Sequence, residues 1–277
     1  MTGTSLFGVV GNPVKHSLSP RIHQFWYDQL SVDARYVPLE LAETSPAADI
    51  QALARAGFSG LNVTLPHKGA ATAAAGTRSN AVDAIGAANT LVRRTDKSGQ
   101  LVWHAENTDH SGFLWSLESA GIKVPERALI IGAGGAARAV VFGLMKAGID
   151  LEICNRTLSS AEDMRDHLNC PDMGIFALDE LERLAGNHSL VVNTISLGHS
   201  GGLLPLPEGS GRQFVDISYG KAAEGMLSQA KSKGWNTLDG LPMLVGQAAD
   251  AFELWFDQSP DRESVLKACR EWTGTTA

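Results

Sequence analysis

Gly132-Ala133-Gly134-Gly135-Ala136-Ala137 fits the pattern G-x-G-x-x-G/A. Glycines at these positions permit a sharp turn and let the backbone approach a pyrophosphate. The ligand's charge is then met by free N–H groups and by the dipole of a following helix. In such sites the cofactor is chosen about 20 residues further on, where an Asp or Glu accepts from a ribose 2′-hydroxyl. Here the chain reads Asn155-Arg156-Thr157. That site has no carboxylate, and its guanidinium can fork onto a 2′-phosphate, so the expected cofactor is NADP rather than NAD. The plain alternatives are a glycine turn without a ligand and a solvated surface arginine.

A second set of polar residues lies in the first half. Ser17-Leu18-Ser19-Pro20 offers two hydroxyls ahead of a helix with Pro in its first turn, a place suited to capping or to holding a carboxylate. Capping accounts for one serine, not both. In Asn62-Val63-Thr64-Leu65-Pro66-His67-Lys68, period two puts Asn62 and Thr64 on one face of a strand, with Lys68 just beyond it. Asn89 and Asn107-Thr108-Asp109 read as the ends of two later strands. Any one of these segments suits a turn or cap as well as a ligand contact; their recurrence points to a shared site.

These residues need strands and helices to position them. Around the glycine run, Ala128 to Ile131 reads as a strand and Ala136 to Lys146 as a helix stopped by Gly148. Strands over Leu151 to Cys154, Leu190 to Val192, Phe214 to Ile217 and Thr237-Leu238 follow, with helices over Ser159 to Leu168 and Ala222 to Lys233. That alternation predicts a doubly wound, Rossmann-type parallel sheet. The first half predicts strands over Leu6 to Val10, Ala34 to Leu39, Gly60 to Thr64 and Ala88 to Arg93, separated by patterns such as Pro20 to Leu30 and Pro46 to Ala56. A hairpin through Thr95 to Gly99 into Leu101 to His104 makes that second α/β sheet mixed. Two helical stretches, around Leu244 to Trp255 and from Pro260 to Trp272, close the chain.

The chain has 277 residues, 44% of them hydrophobic, which predicts two globular domains. A net charge of -7 without a basic segment excludes a nucleic-acid partner. No apolar run of roughly 20 residues and no secretion-type leader are present, so the expected location is the cytoplasm, with no membrane partner. The three cysteines, Cys154, Cys170 and Cys269, show no metal-ligand spacing and are expected to be reduced thiols, with no metal bound.

As a set, these motifs resemble the shikimate dehydrogenase family from one end of the chain to the other. The matching segments are Gly11-Asn12-Pro13 with Ser17 to Pro20, Asn62-Val63-Thr64 with Pro66 and Lys68, Gly86 to Thr90, Asn107-Thr108-Asp109, Gly132 to Ala136, Asn155-Arg156-Thr157, Asp216 with Tyr219, and Asp239-Gly240-Leu241 with Met243 to Val245 and Gln247. The resemblance implies a substrate-binding and catalytic domain over 1–108 plus 241–277, with the C-terminal helices packing back on it, and a dinucleotide-binding domain over 109–240. It implies that Ser17, Ser19, Asn62, Thr64, Asn89, Tyr219 and Gln247 bind a cyclic hydroxy acid and that Lys68 and Asp109 are catalytic. It further implies that Gly132, Ala133, Gly134, Gly135, Ala136, Asn155, Arg156, Thr157, Thr194, Ile217 and Gly240 bind NADP. Five positions depart from the family's usual residues: Ser160 stands where a second basic residue often holds the 2′-phosphate, and Ala88, His110, Pro242 and His199 lie around the site.

The implied reaction is reversible, NADP-dependent oxidation of shikimate to 3-dehydroshikimate in aromatic amino acid (chorismate) biosynthesis. Removing hydride from an alcohol requires an acid–base group near the oxygen, which Lys68 and Asp109 can supply. Which of them takes the proton first stays open. A quinate or aminoshikimate dehydrogenase on the same scaffold is the alternative. A non-catalytic sensor would not require both Lys68 and Asp109. The oligomeric state, monomer or homodimer, also stays open.

Overall fold

The computed structural model describes residues 3–197 and 201–275. The chain divides into two compact units: unit 1 is Met1–Thr108 with Val245–Cys269, and unit 2 is Asp109–Leu244 with Arg270–Ala277.

Unit 1 runs β1 (Ser5–Gly11), α1 (Ser19–Leu30), β2 (Ala34–Glu40), α2 (Pro46–Arg55), β3 (Phe58–Val63), α3 (Lys68–Ala74), β4 (Thr77–Arg78), α4 (Asn80–Ile85), β5 (Thr90–Thr95) and β6 (Leu101–Glu106). Its sheet has the order β2-β1-β3-β5-β6-β4. The pairs β1 with β2, β1 with β3, and β4 with β6 are parallel; β5 is antiparallel to both β3 and β6. The sheet is mixed, as expected. The predicted hairpin turn is closed by Asp96, whose Oδ1 accepts from the Ser98 and Gln100 N–H groups at 2.8 and 2.9 Å, while Gly99 supplies φ +86°.

The core of unit 1 joins sheet residues Val10, Leu61, Val63, Leu91 and Trp103 to Ile50 and Ala54 of α2. The late residues of unit 1 complete an aromatic layer. Phe252 lies tilted against Phe256 with centroids 4.6 Å apart, and the Trp255 and Phe7 centroids are 4.8 Å apart. The Trp255 indole N–H donates to the Leu91 carbonyl at 3.1 Å, and the Trp26 indole N–H donates to the Asp261 carbonyl at 2.9 Å. At Gly60, a Cβ would overlap the Trp255 indole, so strand and ring meet with no side chain between them.

Unit 2 runs α5 (Asp109–Ser119), β7 (Arg127–Ile131), α6 (Gly135–Lys146), β8 (Asp150–Asn155), α7 (Leu158–His167), β9 (Gly174–Ala177), α8 (Leu181–Ala185), β10 (Leu190–Asn193), β11 (Gln213–Asp216), α9 (Lys221–Ser232) and β12 (Asn236–Leu238). The chain then forms α10 (Leu241–Phe256) and α11 (Arg262–Thr273). The second sheet is parallel throughout, in the order β12-β11-β10-β7-β8-β9. Counted from β7, that is the 3-2-1-4-5-6 order of dinucleotide-binding sheets, read from the opposite edge. Helices on both faces make the central strands continuously apolar, as in the fully buried Leu190-Val191-Val192.

Two strand ends differ from the sequence expectation. β3 stops at Val63, although the Thr64 N–H still donates to the Val10 carbonyl at 2.8 Å. β5 starts at Thr90, so Asn89 precedes a strand instead of ending one; its N–H donates to the Glu106 carbonyl at 3.2 Å and its carbonyl accepts from the Val63 N–H at 2.7 Å. No helix among the described residues is long and apolar enough to cross a membrane.

Candidate active site

In unit 1 the strand ends collect polar side chains into a buried network. Asn62 of β3 is 4% exposed; its Oδ1 accepts from the Tyr36 hydroxyl at 2.8 Å, and its Nδ2 donates to Thr90 Oγ1 at 3.1 Å and to the Asn89 carbonyl at 3.4 Å. Asn89 is equally enclosed: its Oδ1 accepts from the Thr108 N–H at 2.7 Å, and its Nδ2 donates to Thr108 Oγ1 at 3.0 Å and to Gln247 Oε1 at 3.2 Å. Three candidate residues, Asn62, Asn89 and Gln247, are thereby joined through Thr90 and Thr108. Buried amides left without partners would cost several kcal/mol. Thr90, Thr108 and Tyr36 carry this network although the motifs single none of them out as binding residues. Thr90 and Thr108 at least adjoin candidates in sequence; Tyr36 has no such signal.

Lys68 opens α3 and is half-buried. Its carbonyl accepts from the Ala88 N–H at 3.2 Å and from Thr72 Oγ1 at 3.1 Å. Just before it, His67 is buried with Nε2 3.1 Å from the Leu41 carbonyl oxygen, which also accepts from Asn12 Nδ2 at 3.2 Å. The Asn12 N–H in turn donates to the Leu65 carbonyl at 3.0 Å. The loops after β1, β2 and β3 therefore meet at one carbonyl beside Lys68.

Ser17 and Ser19 do not cap α1 as a motif reading allows. The cap position is Leu18, without a side-chain bond, and Ser17 Oγ accepts from the Ser19 N–H at 3.2 Å. Ser17 is half-buried and Ser19 buried. Thr64 packs against Gly11, where a Cβ would overlap its methyl group.

Unit 2 holds the remaining candidates. Gly132 has φ +110°, and a Cβ there would lie 2.5 Å from Thr194 Oγ1, which is itself fixed by donating to the Ile131 carbonyl at 2.7 Å. By contrast, nothing lies within 4 Å of where a Cβ would stand on Gly134 or Gly135. Gly134 is the N-cap of α6, and no side chain caps that end, so the first amides of a 12-residue helix have no side-chain acceptor from the cap residue. Ala133 and Ala136 are half-buried beside them. These features fit a pyrophosphate. At the end of β8, Asn155 Nδ2 donates to the Thr157 carbonyl at 2.8 Å, forming a tight turn on which Arg156 is exposed.

On the far side of the sheet order, a Cβ on Gly240 would overlap the Ile217 carbonyl, and the Gly240 N–H donates to the Ser218 carbonyl at 2.8 Å. Asp216 sits beneath this crossing. Burial raises its carboxyl above the usual range, against bonds from the Ser218 N–H at 2.8 Å and Asn193 Nδ2 at 3.0 Å, with Asp239 adding to the rise. Asp239 pairs with Arg270. Asp109 opens α5 and is buried, while Tyr219 is half-buried after β11.

The departures from the family's residues also have places. Ala88 is fully buried core and Pro242 is buried, while His110 stands edge-on to Phe142 with centroids 5.2 Å apart. Ser160 is half-buried on α7; His199 lies outside the described residues.

Models of three families match the chain: the shikimate dehydrogenase substrate binding domain over residues 9–91, shikimate / quinate 5-dehydrogenase over 119–200, and the shikimate 5′-dehydrogenase C-terminal domain over 240–270. A protein of Hyphomonas neptunium named shikimate dehydrogenase (NADP(+)) is 46% identical over 275 residues, spanning 99% of this chain and 100% of its own. The chain belongs to the shikimate dehydrogenase family. A Brucella canis shikimate dehydrogenase (NADP(+)) is 39% identical, with 95% of this chain and 91% of that one covered. The crystal structure of the Thermus thermophilus family member, in complex with NADP(H) and shikimate, superposes with a TM-score of 0.81 at 33% identity, covering 96% of this chain and 99% of that one.

Proposed function

We propose that the chain is an NADP-dependent shikimate dehydrogenase, reversibly oxidising shikimate to 3-dehydroshikimate for aromatic amino acid biosynthesis in the cytoplasm. The observation that carries this reading is the buried network of unit 1. Residues the family resemblance assigns to a single ligand, among them Asn89 and Gln247, which lie 158 positions apart, are tied directly to one another. In this reading 1–108 with 241–277 takes the substrate, and 109–240 takes the dinucleotide.

Ser17, Ser19, Asn62, Thr64, Asn89, Tyr219 and Gln247 bind the acid and hydroxyls of the substrate. Gly132, Ala133, Gly134, Gly135 and Ala136 receive the pyrophosphate, Asn155, Arg156 and Thr157 the 2′-phosphate, and Thr194, Ile217 and Gly240 the rest of the cofactor. When bound, the nicotinamide takes the hydride. Lys68 and Asp109 move the proton at the hydroxyl oxygen being oxidised.

Steady-state rates with shikimate and quinate, each with NADP and NAD, test the assignment. Shikimate with NADP is expected to give the highest kcat/KM. Lys68→Met keeps the stem and removes the amine, so kcat should fall by about 10²–10⁴ while KM moves less than about tenfold. A parent protein without activity on shikimate, or a variant that turns over normally, overturns the reading.

A further inference from the structure

The polarity of the unit 1 network is fixed by two groups that cannot change roles. The Asn89 backbone carbonyl can only accept, so the atom of Asn62 beside it is the amide nitrogen, and the same nitrogen reaches Thr90 Oγ1. The Thr108 backbone N–H can only donate, so the atom of Asn89 it meets is the oxygen. Both hydrogens of Asn62 Nδ2 are therefore committed within the protein. Its Oδ1 takes the Tyr36 hydroxyl at 2.8 Å and keeps one acceptor position.

Tyr36 is built to hold that oxygen still. Its ring lies in the buried aromatic layer of unit 1, stacked on the His23 imidazole at 4.3 Å with planes 8° apart, with Tyr27 and Trp255 beside it. His23 comes close to Asn62, and neither of its ring nitrogens has a hydrogen-bond partner within ordinary distance and angle, so Tyr36 is the donor that Oδ1 takes from the aromatic layer. Burial, reinforced by Tyr27, pushes the Tyr36 phenol well above its ordinary range against an opposing hydrogen bond from Ser19, so the hydroxyl keeps its proton. Tyr36 thus touches Asn62, a residue assigned to the substrate.

We propose that Tyr36 and Thr90 are positioning residues that lock the Asn62 amide with its oxygen turned to the ligand, so that Asn62 selects a substrate hydroxyl acting as a hydrogen-bond donor. This rests on Asn62 being a substrate contact, as in the function proposed above. It makes a chemical distinction at one ring carbon away from the reacting centre. Fluorine, which only accepts, would face Oδ1 oxygen to fluorine, whereas an amine, which can donate, would be accepted.

The test uses the whole protein with shikimate analogues in which each non-reacting ring hydroxyl is replaced in turn by fluorine or by an amine. With the parent, fluorine at one position should weaken binding at least about tenfold, and an amine at the same position should bind within a few-fold of the hydroxyl. Tyr36→Phe should raise KM for shikimate by about tenfold, leave kcat within about threefold, and shrink the hydroxyl-over-fluorine preference. Thr90→Val releases the other end of the amide and should shrink the same preference. A parent that binds every fluoro analogue as well as shikimate overturns the polarity, and this arm needs no variant to fold. Unchanged discrimination in folded Tyr36→Phe and Thr90→Val overturns their positioning role. A parent that neither binds nor oxidises shikimate overturns the proposed function, and this inference with it.

Discussion

His67 Nε2 stands 3.1 Å from the carbonyl oxygen of Leu41, at the point where Asn12 Nδ2 arrives at 3.2 Å. With Lys68 as the next residue, the His67 ring is a peg that fixes where the lysine's backbone begins. Replacing it with Phe keeps the ring volume and removes the donor. His67→Phe is expected to lower kcat about tenfold to a hundredfold through misplacement of Lys68, with KM within about threefold. His67→Gln, which retains an N–H donor, should recover most of the rate. Steady-state kinetics of the two variants check this; equal losses in both would remove the hydrogen bond from the account.

The glycines of the nucleotide turn should separate by role. Gly132→Ala meets both a left-handed φ and Thr194, whose hydroxyl is held by Ile131 and cannot step aside. It should cost about 1–3 kcal/mol of stability in urea denaturation. Gly134→Ala has φ -81° and open space, so it should fold within about 1 kcal/mol of the parent while losing NADP affinity if its methyl enters the space proposed for the pyrophosphate. A Gly134→Ala protein that binds NADP normally would place the phosphate elsewhere.

Arg156 is exposed on the turn after β8, with no acidic residue at the place of a 2′-hydroxyl acceptor. Arg156→Ala should therefore weaken NADP by about 1.5–3 kcal/mol and leave NAD nearly untouched. Calorimetric titration with both dinucleotides reads the difference directly, and equal loss for the two counts against a 2′-phosphate contact.

Burial pushes the His23 imidazole down to about 3. An unfolded histidine titrates near 6.5, so between these values the unfolded chain binds a proton that the folded chain does not. The stability this residue contributes is full above about pH 6.5 and declines as the pH falls toward 3, by about 1.4 kcal/mol per unit. Between pH 7 and pH 5 the parent should lose about 2 kcal/mol more than His23→Phe, measured by urea denaturation at both values. Parallel losses would mean that the ring titrates normally.

Most of the parallel sheet of unit 2 is legible from sequence because β7, β8, β10 and β11 are short apolar runs and the crossover helix α6 has good formers and a glycine stop, from Ala136 to Gly148. The glycine fingerprint was legible for the same reason, since its chemistry is contiguous. The substrate side was legible only as scattered motifs. Nothing local announces that the phenol of Tyr36 faces Asn62, because that meeting depends on the register of β2, β1 and β3. The two-residue β4 and the four-residue β9 are too short for periodicity to show, and α5 begins Asp-His-Ser-Gly, a run of weak helix formers. Ala88, an apolar residue, reads from sequence as the start of the strand that begins at Thr90; its N–H is bonded instead to the Lys68 carbonyl.

The aromatic layer of unit 1 also sets an order of events during synthesis. Trp255 covers Gly60, and Asp261 supplies the acceptor for Trp26, yet all of unit 2 up to Leu244 is translated between these partners. At ordinary elongation rates the wait from Thr108 to Val245 is on the order of ten seconds. During it the apolar face around Phe7, Trp26 and Gly60 has no native cover, while the uninterrupted segment from Asp109 onward can already close its own parallel sheet. The nascent chain therefore passes through a stage in which the parallel sheet of unit 2 is closed, with Arg270 still to reach Asp239, while unit 1 stands open, and it is in that interval that a chaperone would find its binding surface.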